Sequence, residues 1–345
     1  MATRSSRNTI DDVARRAGVS VATVSRALRG LPNVSPTTRQ LVEKAAADLS
    51  YTVDARASSL ASGRTHTIGL VAPWFDSWYE SKVISGLEGI LAPAGYDLLV
   101  YAIKTSVRPL PILRERVRNR TVDGIISIDV FFDEEDSPGL EAFGVPIVLI
   151  GSRLSVAHSL NIDNHQGAGL ATSHLLELGH RRILYVGGAQ SMEMVSPVSS
   201  VREEGVRAAI REAGLDDRET LEISRDGAFS IAGGTKVMQW LLERDEKMPT
   251  GIVCGSDEIA MGLMAEARRN GVDVPGDVSV VGFDDHDLAD VLGVTTIRQS
   301  VYQHGEIAGR LMLDTLADGN QADFQHLERE VELVVRTSTD KPPSN

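Results

Sequence analysis

The chain has 345 residues, of which 42% are hydrophobic and 24% are charged. This length and composition predict a globular protein of two or three folding units, and no stretch approaches the ~20 consecutive apolar residues of a membrane span. The N-terminus lacks the apolar segment of a signal peptide, the single cysteine, Cys254, excludes an internal disulfide, and no His/Cys spacing indicates a metal site. We therefore expect a cytoplasmic protein without a metal ion or cofactor.

Charge is distributed unevenly along the chain. The net charge is −13, yet the first 66 residues carry ten Lys and Arg against five Asp and Glu, which leaves +5 on this end and −18 on the remainder. A basic end on an acidic body is typical of a DNA-binding module attached to another domain.

The basic end carries the signals of three short helices. Thr9-Ile10-Asp11-Asp12 predicts a capping box, Gly18 supplies the tight turn that ends the first helix, and Ser20 is the N-cap of a second helix over Val21–Arg29. A third helix is predicted from the cap Ser35 and Pro36 to about Leu49. This order of helix, glycine turn and helix favours a helix-turn-helix module, although an all-helical interaction domain has similar signals.

The second helix of such a module lies in the major groove. Its candidate base-contacting residues are Val21, Ala22, Ser25, Arg26 and Arg29, and Arg26 suits a bidentate contact with guanine. Thr23, Ser25, Ser35 and Thr38 are placed for phosphate contacts.

The run Thr9 to Leu28 closely resembles the headpiece of the lactose/galactose repressor (LacI/GalR) family, and the likeness continues through Val34-Ser35-Pro36-Thr37-Thr38-Arg39 and Ser50-Tyr51. The resemblance implies binding to double-stranded operator DNA. With the hinge residues discussed next, the candidate DNA-contacting residues are Thr9, Ser20, Val21, Ala22, Thr23, Ser25, Arg26, Arg29, Asn33, Ser35, Thr38, Tyr51, Ala57 and Leu60.

Residues 54–63 form a short amphipathic segment, too short to be a stable isolated helix in water. In the family it resembles the hinge helix, whose leucine enters the minor groove, and Leu60 matches that leucine. Val53 and Asp54 stand where the family usually has Pro and Asn, and an acid near phosphate should weaken DNA binding somewhat. Off DNA, a flexible linker is the expected state.

From Thr67 onward, apolar strand-like runs alternate with helical periodicity, beginning with a strand over Ile68–Ala72. This alternation predicts an α/β core of parallel sheets with helices on both faces, and roughly 270 residues suggest two sheets. The predicted fold is therefore an all-α helix-turn-helix headpiece joined to a two-lobed, periplasmic-binding-protein-like core. The resemblance to the LacI/GalR family continues through this core to about Arg336, for example at Val280-Val281-Gly282-Phe283-Asp284-Asp285.

Ligands of such folds bind at the carboxyl ends of the strands, in the cleft between lobes. Aromatic, acidic and hydroxyl side chains follow several predicted strands, a set suited to sugars, although for Asp257 and Asp285 a helix N-cap is the favoured role. Ser256 stands where the family usually has Asn, and the loop before Trp78 is one residue shorter than usual. By resemblance, the candidate effector-binding residues are Trp78, Tyr79, Asp163, Arg202, Phe229, Ser256 and Asp284.

The predicted boundaries are a headpiece over 1–53, a hinge over 54–63, a core over 64–336 and a disordered polar tail over 337–345. Within the core, lobe 1 is expected over about 64–162 and 297–327, and lobe 2 over about 163–296 and 328–336. The tail lacks the apolar heptads of a tetramerising coiled coil, so we expect a homodimer on a pseudo-palindromic operator.

The sequence thus predicts a transcription regulator, by family default a repressor, controlled by a small sugar-like effector. An enzyme is disfavoured because G-x-S-x-G, the Walker loop and H-E-x-x-H are absent. A free sugar-binding protein of a transport system shares the core fold, but it has no use for a basic headpiece.

Overall fold

The computed structural model describes residues 8–28, 32–51, 64–103, 109–117, 122–188, 197–319 and 323–344. The chain divides into two compact units, Met1–Thr65 and His66–Asn345. Each unit has its own hydrophobic core, and each is described separately below.

In its described part, the first unit contains α1 (Ile10–Ala17), α2 (Val21–Leu28) and α3 (Pro36–Asp48). Gly18 ends α1 with φ 67°, a left-handed conformation that suits glycine. The Ser20 hydroxyl accepts from the Thr23 amide at 3.1 Å, so α2 begins at a serine cap. The same arrangement starts α3, and together these local signals explain why the three helices begin where the sequence predicts.

One apolar residue from each helix forms the centre of the headpiece. Val13, Val24 and Val42 have no exposed surface, and they pack together with smaller alanines. Arg16 of α1 pairs with Asp48 of α3 at 2.8 Å across the surface. The three-helix headpiece is therefore held by a small core and by few surface contacts.

The second unit contains two sheets of six strands in the described residues. The first sheet has the order β11-β5-β4-β3-β1-β2 and the second β12-β10-β9-β8-β6-β7. All neighbouring strands run parallel except β10 and β12. The strands are β1 (Thr67–Ala72), β2 (Asp97–Ala102), β3 (Gly124–Ile128), β4 (Ile147–Ile150), β5 (His158–Ile162), β6 (Ile183–Val186), β7 (Leu221–Ser224), β8 (Gly251–Cys254), β9 (Ser279–Asp284), β10 (Thr295–Arg298), β11 (His326–Arg329) and β12 (Glu332–Val334).

Helices cover both faces of each sheet, which explains the nearly continuous apolar strands. They are α4 (Trp78–Leu91), α5 (Pro109–Arg116), α6 (Ser137–Glu141), α7 (Asn164–Leu178), α8 (Pro197–Glu212), α9 (Asp217–Thr220), α10 (Ile231–Glu243), α11 (Asp257–Arg269), α12 (Ala289–Leu292) and α13 (Val301–Ala317), with a 3-10 turn at Glu134–Asp136. On the first sheet, α4 and α13 pack on one face and α5 and α6 on the other. On the second, α10 and α11 oppose α7 and α8.

We call the first sheet with its helices the first lobe, and the second sheet with its helices the second lobe. The chain passes between them after β5, after β10 and after β11. The predicted changes of lobe at 296/297 and 327/328 fall inside β10 and β11, so both were placed too early. Those positions lie in strands that complete the two sheets, and no break in the apolar pattern marks them.

The prediction of a disordered tail from residue 337 is wrong for its first half. Ser338 is 1% exposed, its hydroxyl accepts from the Thr295 amide at 2.8 Å, and its carbonyl accepts from the Val280 amide at 2.8 Å. Further along, the Asp340 carbonyl lies 2.8 Å from the His180 Nε2 atom. A polar segment is ordered here because it satisfies buried backbone groups of β9 and β10.

Candidate functional site

A cavity of about 380 Å³ lies between the two lobes of the second unit. Each sheet supplies residues at the carboxyl ends of its strands. Asp129 follows β3 and Gly151 follows β4 in the first lobe, whereas Ser256 follows β8 and Asp284 ends β9 in the second. The cavity therefore has the position at which parallel α/β sheets bind ligands.

Arg202, on α8, is the central cation of the cavity wall and is 5% exposed. Its Nε donates to the Asn164 Oδ1 atom at 2.8 Å, its Nη1 donates to the Gly255 carbonyl, and its guanidinium lies 3.5 Å from the centre of the Phe283 ring. These contacts hold the side chain in one orientation, with its remaining N–H groups available to a ligand.

Asp284 lies on the second-lobe side of the same cavity with φ 118°. Gln299 donates from its side-chain amide to the Asp284 carboxylate. Burial raises the pKa of Asp284 well above its ordinary value, and Arg202 partly opposes that shift. The carboxyl group is fixed and poorly hydrated, which suits a hydrogen bond to a ligand hydroxyl.

Apolar rings and chains complete the cavity wall. Phe229, at φ 42°, follows β7, and its ring occupies the space that a Cβ on Gly188 would fill, at 2.0 Å. Trp74 contributes an aromatic face from the first lobe, and Ile103, Ile150 and Leu160 contribute aliphatic surface. Rigid carboxyl and guanidinium groups next to apolar faces suit a ring that carries hydroxyl groups.

Five of the candidate effector-binding residues line the cavity, namely Tyr79, Arg202, Phe229, Ser256 and Asp284. Ser256 also caps α11 through the Ile259 amide at 3.3 Å. The remaining two candidates lie elsewhere, and effector binding by the five that line the cavity stays a prediction.

Trp78 and Asp163 do not line the cavity. The Trp78 indole faces the second lobe, where its Nε1 donates to Asp287 at 3.1 Å. Asp163 caps α7, because its carboxylate accepts from the Gln166 amide at 2.7 Å. These two placements correct the prediction for the effector site.

Trp78 instead belongs to a contact between the lobes. Its ring lies 4.6 Å from that of His286, and Lys82 pairs with Asp287 at 2.7 Å. We call the contacts of Trp78 and Lys82 with His286 and Asp287 the lobe bridge. It joins the start of α4 directly to the segment after β9.

Asp257 and Asp285 lie outside the cavity lining, and the prediction that they cap helices is wrong, because the N-caps of the two following helices are Ser256 and Leu288. Asp257 is fully buried, accepts from the Thr296 hydroxyl at 2.6 Å, and burial raises its pKa to about 7. Asp285 pairs with Arg298 at 2.6 Å and with Arg336 at 2.7 Å. Both carboxyls therefore hold the segments around β9 and β10 in place.

Sequence reasoning missed several titratable residues of the cavity. Asp129, Glu80 and His304 line it, and burial raises the pKa of Asp129 to about 6. Asp129 follows a predicted strand, so its position after β3 was the available signal. Glu80 and His304 lie inside helices, where nothing in the local sequence distinguishes a cavity wall from an interior.

In the headpiece, the outer face of α2 presents Val21, Ala22 and Arg26 to solvent, with Ser25 half-buried beside them. Ser20 and Ser35 are N-caps, and their hydroxyls lie 2.9 and 2.8 Å from those of Thr23 and Thr38. Thr9 donates its amide and hydroxyl to Asp12 at 2.9 and 2.8 Å. Asn33, exposed at φ 72°, precedes α3, and Tyr51 packs against the headpiece core. Arg29, Ala57, Leu60 and the predicted hinge helix lie outside the described residues.

Within the described residues, no group of three or more His, Cys, Asp or Glu is placed to hold a metal ion. None of the helices described in the structure combines the length and hydropathy needed to cross a bilayer.

Residues 9–54 match the family described as bacterial regulatory proteins, lacI family, and residues 172–339 match the periplasmic binding protein-like domain. Catabolite control protein A of Priestia megaterium is 33% identical over 309 residues, which cover 88% of this chain and 91% of that protein. The transcriptional repressor CytR of Escherichia coli K12 is 31% identical, over 96% of each chain.

Among solved structures, the Lac repressor dimer bound to operator and the anti-inducer ONPF has a TM-score of 0.80 at 26% identity, covering 96% of this chain and 99% of that chain. The complex of the transcriptional regulator CelR with cellobiose has a TM-score of 0.66 at 29% identity, covering 96% and 100%. Headpiece, two-lobed core and cavity together define a DNA-binding transcriptional regulator. The chain belongs to the lacI family of bacterial regulatory proteins.

Proposed function

We propose that this protein is a sugar-responsive repressor that binds a pseudo-palindromic operator as a homodimer. The observation that carries the proposal is a cavity at the facing strand ends of the two lobes, in a chain whose other unit is a helix-turn-helix headpiece. CytR and the Lac repressor are named as repressors, the latter in a complex with operator, and two related transcriptional regulators are solved with cellobiose or ribose. The protein acts without catalysis, in the cytoplasm, where the DNA lies.

On the DNA side, the exposed face of α2 enters the major groove of each half-site. Arg26 reads a guanine through two parallel hydrogen bonds, worth about 1–3 kcal/mol of discrimination. Val21 and Ala22 contact thymine methyl groups or exclude bulkier edges, while Thr23 and Thr38 lie near phosphates. The hinge residues Ala57 and Leu60 add a minor-groove contact at the operator centre.

On the effector side, Arg202 and Asp284 form hydrogen bonds with hydroxyl groups of the ligand, and Phe229 packs on its apolar face. Tyr79 closes the first-lobe side, and Ser256 supplies a hydroxyl where an amide is usual in the family. The ligand therefore contacts both lobes at once. It shifts operator affinity only by as much as its affinity differs between the lobe arrangements that favour and disfavour DNA binding.

The test selects binding sites from random duplex DNA at a stated salt concentration, with the full chain and with Arg26→Ala. We expect a pseudo-palindrome of about one and a half to two helical turns for the full chain, and loss of selectivity at one position per half-site for the variant. Arg153→Ala, which removes an exposed arginine of the core, is the control and should select the original sequence. Sugars are then screened for changes in operator affinity.

A protein that binds sugars but enriches no DNA sequence, with or without those sugars, would contradict this function. Such a result would favour a free sugar-binding protein, because that class shares the core fold. Deleting residues 1–63 distinguishes a regulator from a free sugar-binding protein. A regulator loses a measurable DNA binding and keeps its ligand, whereas a free sugar-binding protein has no DNA binding to lose.

A further inference from the structure

Two buried polar atoms in the wall of the cavity have no hydrogen-bond partner. They are Oε2 of Glu80 and Nε2 of His304, and both side chains line the cavity while being only 3% and 2% exposed. A buried polar group without a partner costs stability. Both residues line the same cavity, so a ligand there could supply the missing partner once the side chains turn toward it.

The packing of α4 against α13 explains why the two residues share that wall. A Cβ on Gly86 would lie 2.1 Å from the Tyr302 carbonyl, and a Cβ on Gly305 would lie 2.1 Å from the Val83 carbonyl. Only glycine at these positions lets the two backbones approach so closely. Glu80 and His304 each lie in the first turn of their helix, so the contact fixes both at the same end of the helix pair.

The charge of the cavity lining restricts the ligand. The lining contains five carboxyl groups and a single arginine among the described residues, and two N–H groups of that arginine already donate to Asn164 and Gly255. Glu80 is protonated at neutral pH, but Asp129, with a pKa of about 6, is then mostly ionised, so a phosphate or carboxylate on the ligand would face negative charge beside the single arginine. The carboxyl groups belong to Asp76, Glu80, Asp129, Glu258 and Asp284.

The protonation of the two residues matches a hydroxyl group. Burial, with the nearby Asp129, raises the pKa of Glu80 to about 9, and burial lowers the pKa of His304 to about 4. At neutral pH both are therefore uncharged. A protonated carboxyl both donates and accepts, and so does a sugar hydroxyl, whereas an ammonium group only donates.

We propose that the effector is an uncharged, hydroxyl-rich ligand, and that Glu80 and His304 bind one of its hydroxyl groups at the first-lobe end of the cavity. This inference rests on the proposed function, since it specifies the chemistry of the same effector. It adds two specificity residues that act from helices rather than from the strand ends.

The test titrates the full chain with neutral sugars and with phosphorylated counterparts. The probes are D-glucose, D-galactose, D-ribose, maltose and cellobiose, followed by glucose 6-phosphate and ribose 5-phosphate. Calorimetry measures affinity, and tryptophan emission, to which Trp74 in the cavity wall contributes, gives a second signal. We expect at least one neutral sugar to bind, and phosphorylation to weaken binding by about a hundredfold.

Variants then test the two residues with the sugar that binds. Glu80→Leu and His304→Leu should each weaken binding by at least about tenfold while leaving the melting temperature of the core unchanged or higher, because each removes an unpartnered buried polar group. Glu80→Gln keeps one donor and one acceptor, so it should bind within about threefold of the unmodified protein. Glu88→Gln, on the exposed side of the same helix, is the matched control.

Each outcome decides a different point. If a phosphorylated sugar or glucosamine binds more tightly than its neutral parent, the charge argument is wrong although the sugar-responsive function stands. If the leucine variants bind as well as the unmodified protein, Glu80 and His304 do not contact the effector. If no sugar binds while operator binding persists, the sugar-responsive function itself fails, and this inference fails with it.

Discussion

Replacing Glu80 with glutamine should stabilise the core, by an amount that grows with pH. The carboxyl is buried, one of its oxygens has no partner, and burial raises its pKa from 4.5 to about 9. In the unfolded chain it ionises near its ordinary pKa. The folded state therefore binds the proton more tightly, and this contribution to stability is complete below pH 4.5 and is lost as the pH rises toward 9.

The size of the effect follows from the pKa difference. Each pH unit between the unfolded and folded values is worth about 1.4 kcal/mol, and pH 7 lies two and a half units above the ordinary value of 4.5. The full penalty at pH 7 is thus about 3 kcal/mol, and water in the cavity reduces it, so we expect a gain of about 1–3 kcal/mol for the variant. At pH 4.5 the two proteins should be nearly equal, since both side chains are then uncharged.

Urea unfolding followed by tryptophan emission measures this gain. All three tryptophans, Trp74, Trp78 and Trp240, lie outside the headpiece, so the signal reports the second unit. The difference in unfolding free energy between Glu80→Gln and the unmodified protein should widen steadily from pH 5 to pH 8. A difference that does not change with pH, or a variant less stable at pH 8, would show that Glu80 is hydrated or paired in solution.

The remaining predictions concern the lobe bridge, the tail and the headpiece. Asp287→Asn removes the ion pair with Lys82, which is partly exposed and contributes less than about 1 kcal/mol to the free energy of unfolding. The variant should nevertheless bind sugar more weakly in calorimetry, because the contact between the lobes is loosened. Unchanged affinity would mean that the lobe bridge plays no part in holding the lobes together. Ser338→Ala removes two buried hydrogen bonds and should lower the unfolding free energy of the core in urea by about 1–3 kcal/mol. An unchanged urea midpoint would mean that the C-terminal tail is detached from the core in solution. Val24→Ala, at a fully buried site, should destabilise the headpiece by about 1–3 kcal/mol. Operator binding should then be lost on warming, while the unfolding transition followed by tryptophan emission stays where it is. A shift of that transition would argue against two separately folded units.

The headpiece was predictable because its signals are local. The capping box at Thr9, the turn at Gly18 and the caps Ser20 and Ser35 act within three or four residues, so the sequence states where each helix begins. The alternation of apolar strands and amphipathic helices likewise determines the class of the core, because both faces of a parallel sheet must be covered.

Several elements in the second half of the core were less predictable. The helix over Val301–Ala317 and the short strands β7, β10, β11 and β12 were not foreseen as elements. The strand β11 is mostly exposed, as an edge strand can be, and β12 has only three residues. Strands this short and polar carry little period-two signal, and only their pairing partners define them.

The effector site likewise contains residues that the sequence predicts and residues that it does not. Asp284 and Ser256 follow recognisable strands, so their place at the carboxyl ends could be expected, and resemblance supplied Arg202. The position of Trp78 outside the cavity depends on its contacts with His286 and Asp287 from the second lobe. Glu80 and His304 enter the cavity only because two glycines let α4 and α13 touch.

Sequence by itself therefore determined the helix starts, the sheet class and the strand-end residues, which depend on neighbours along the chain. Tertiary structure alone decided the cavity's buried acid and imidazole, because their environment is built from residues more than two hundred positions apart.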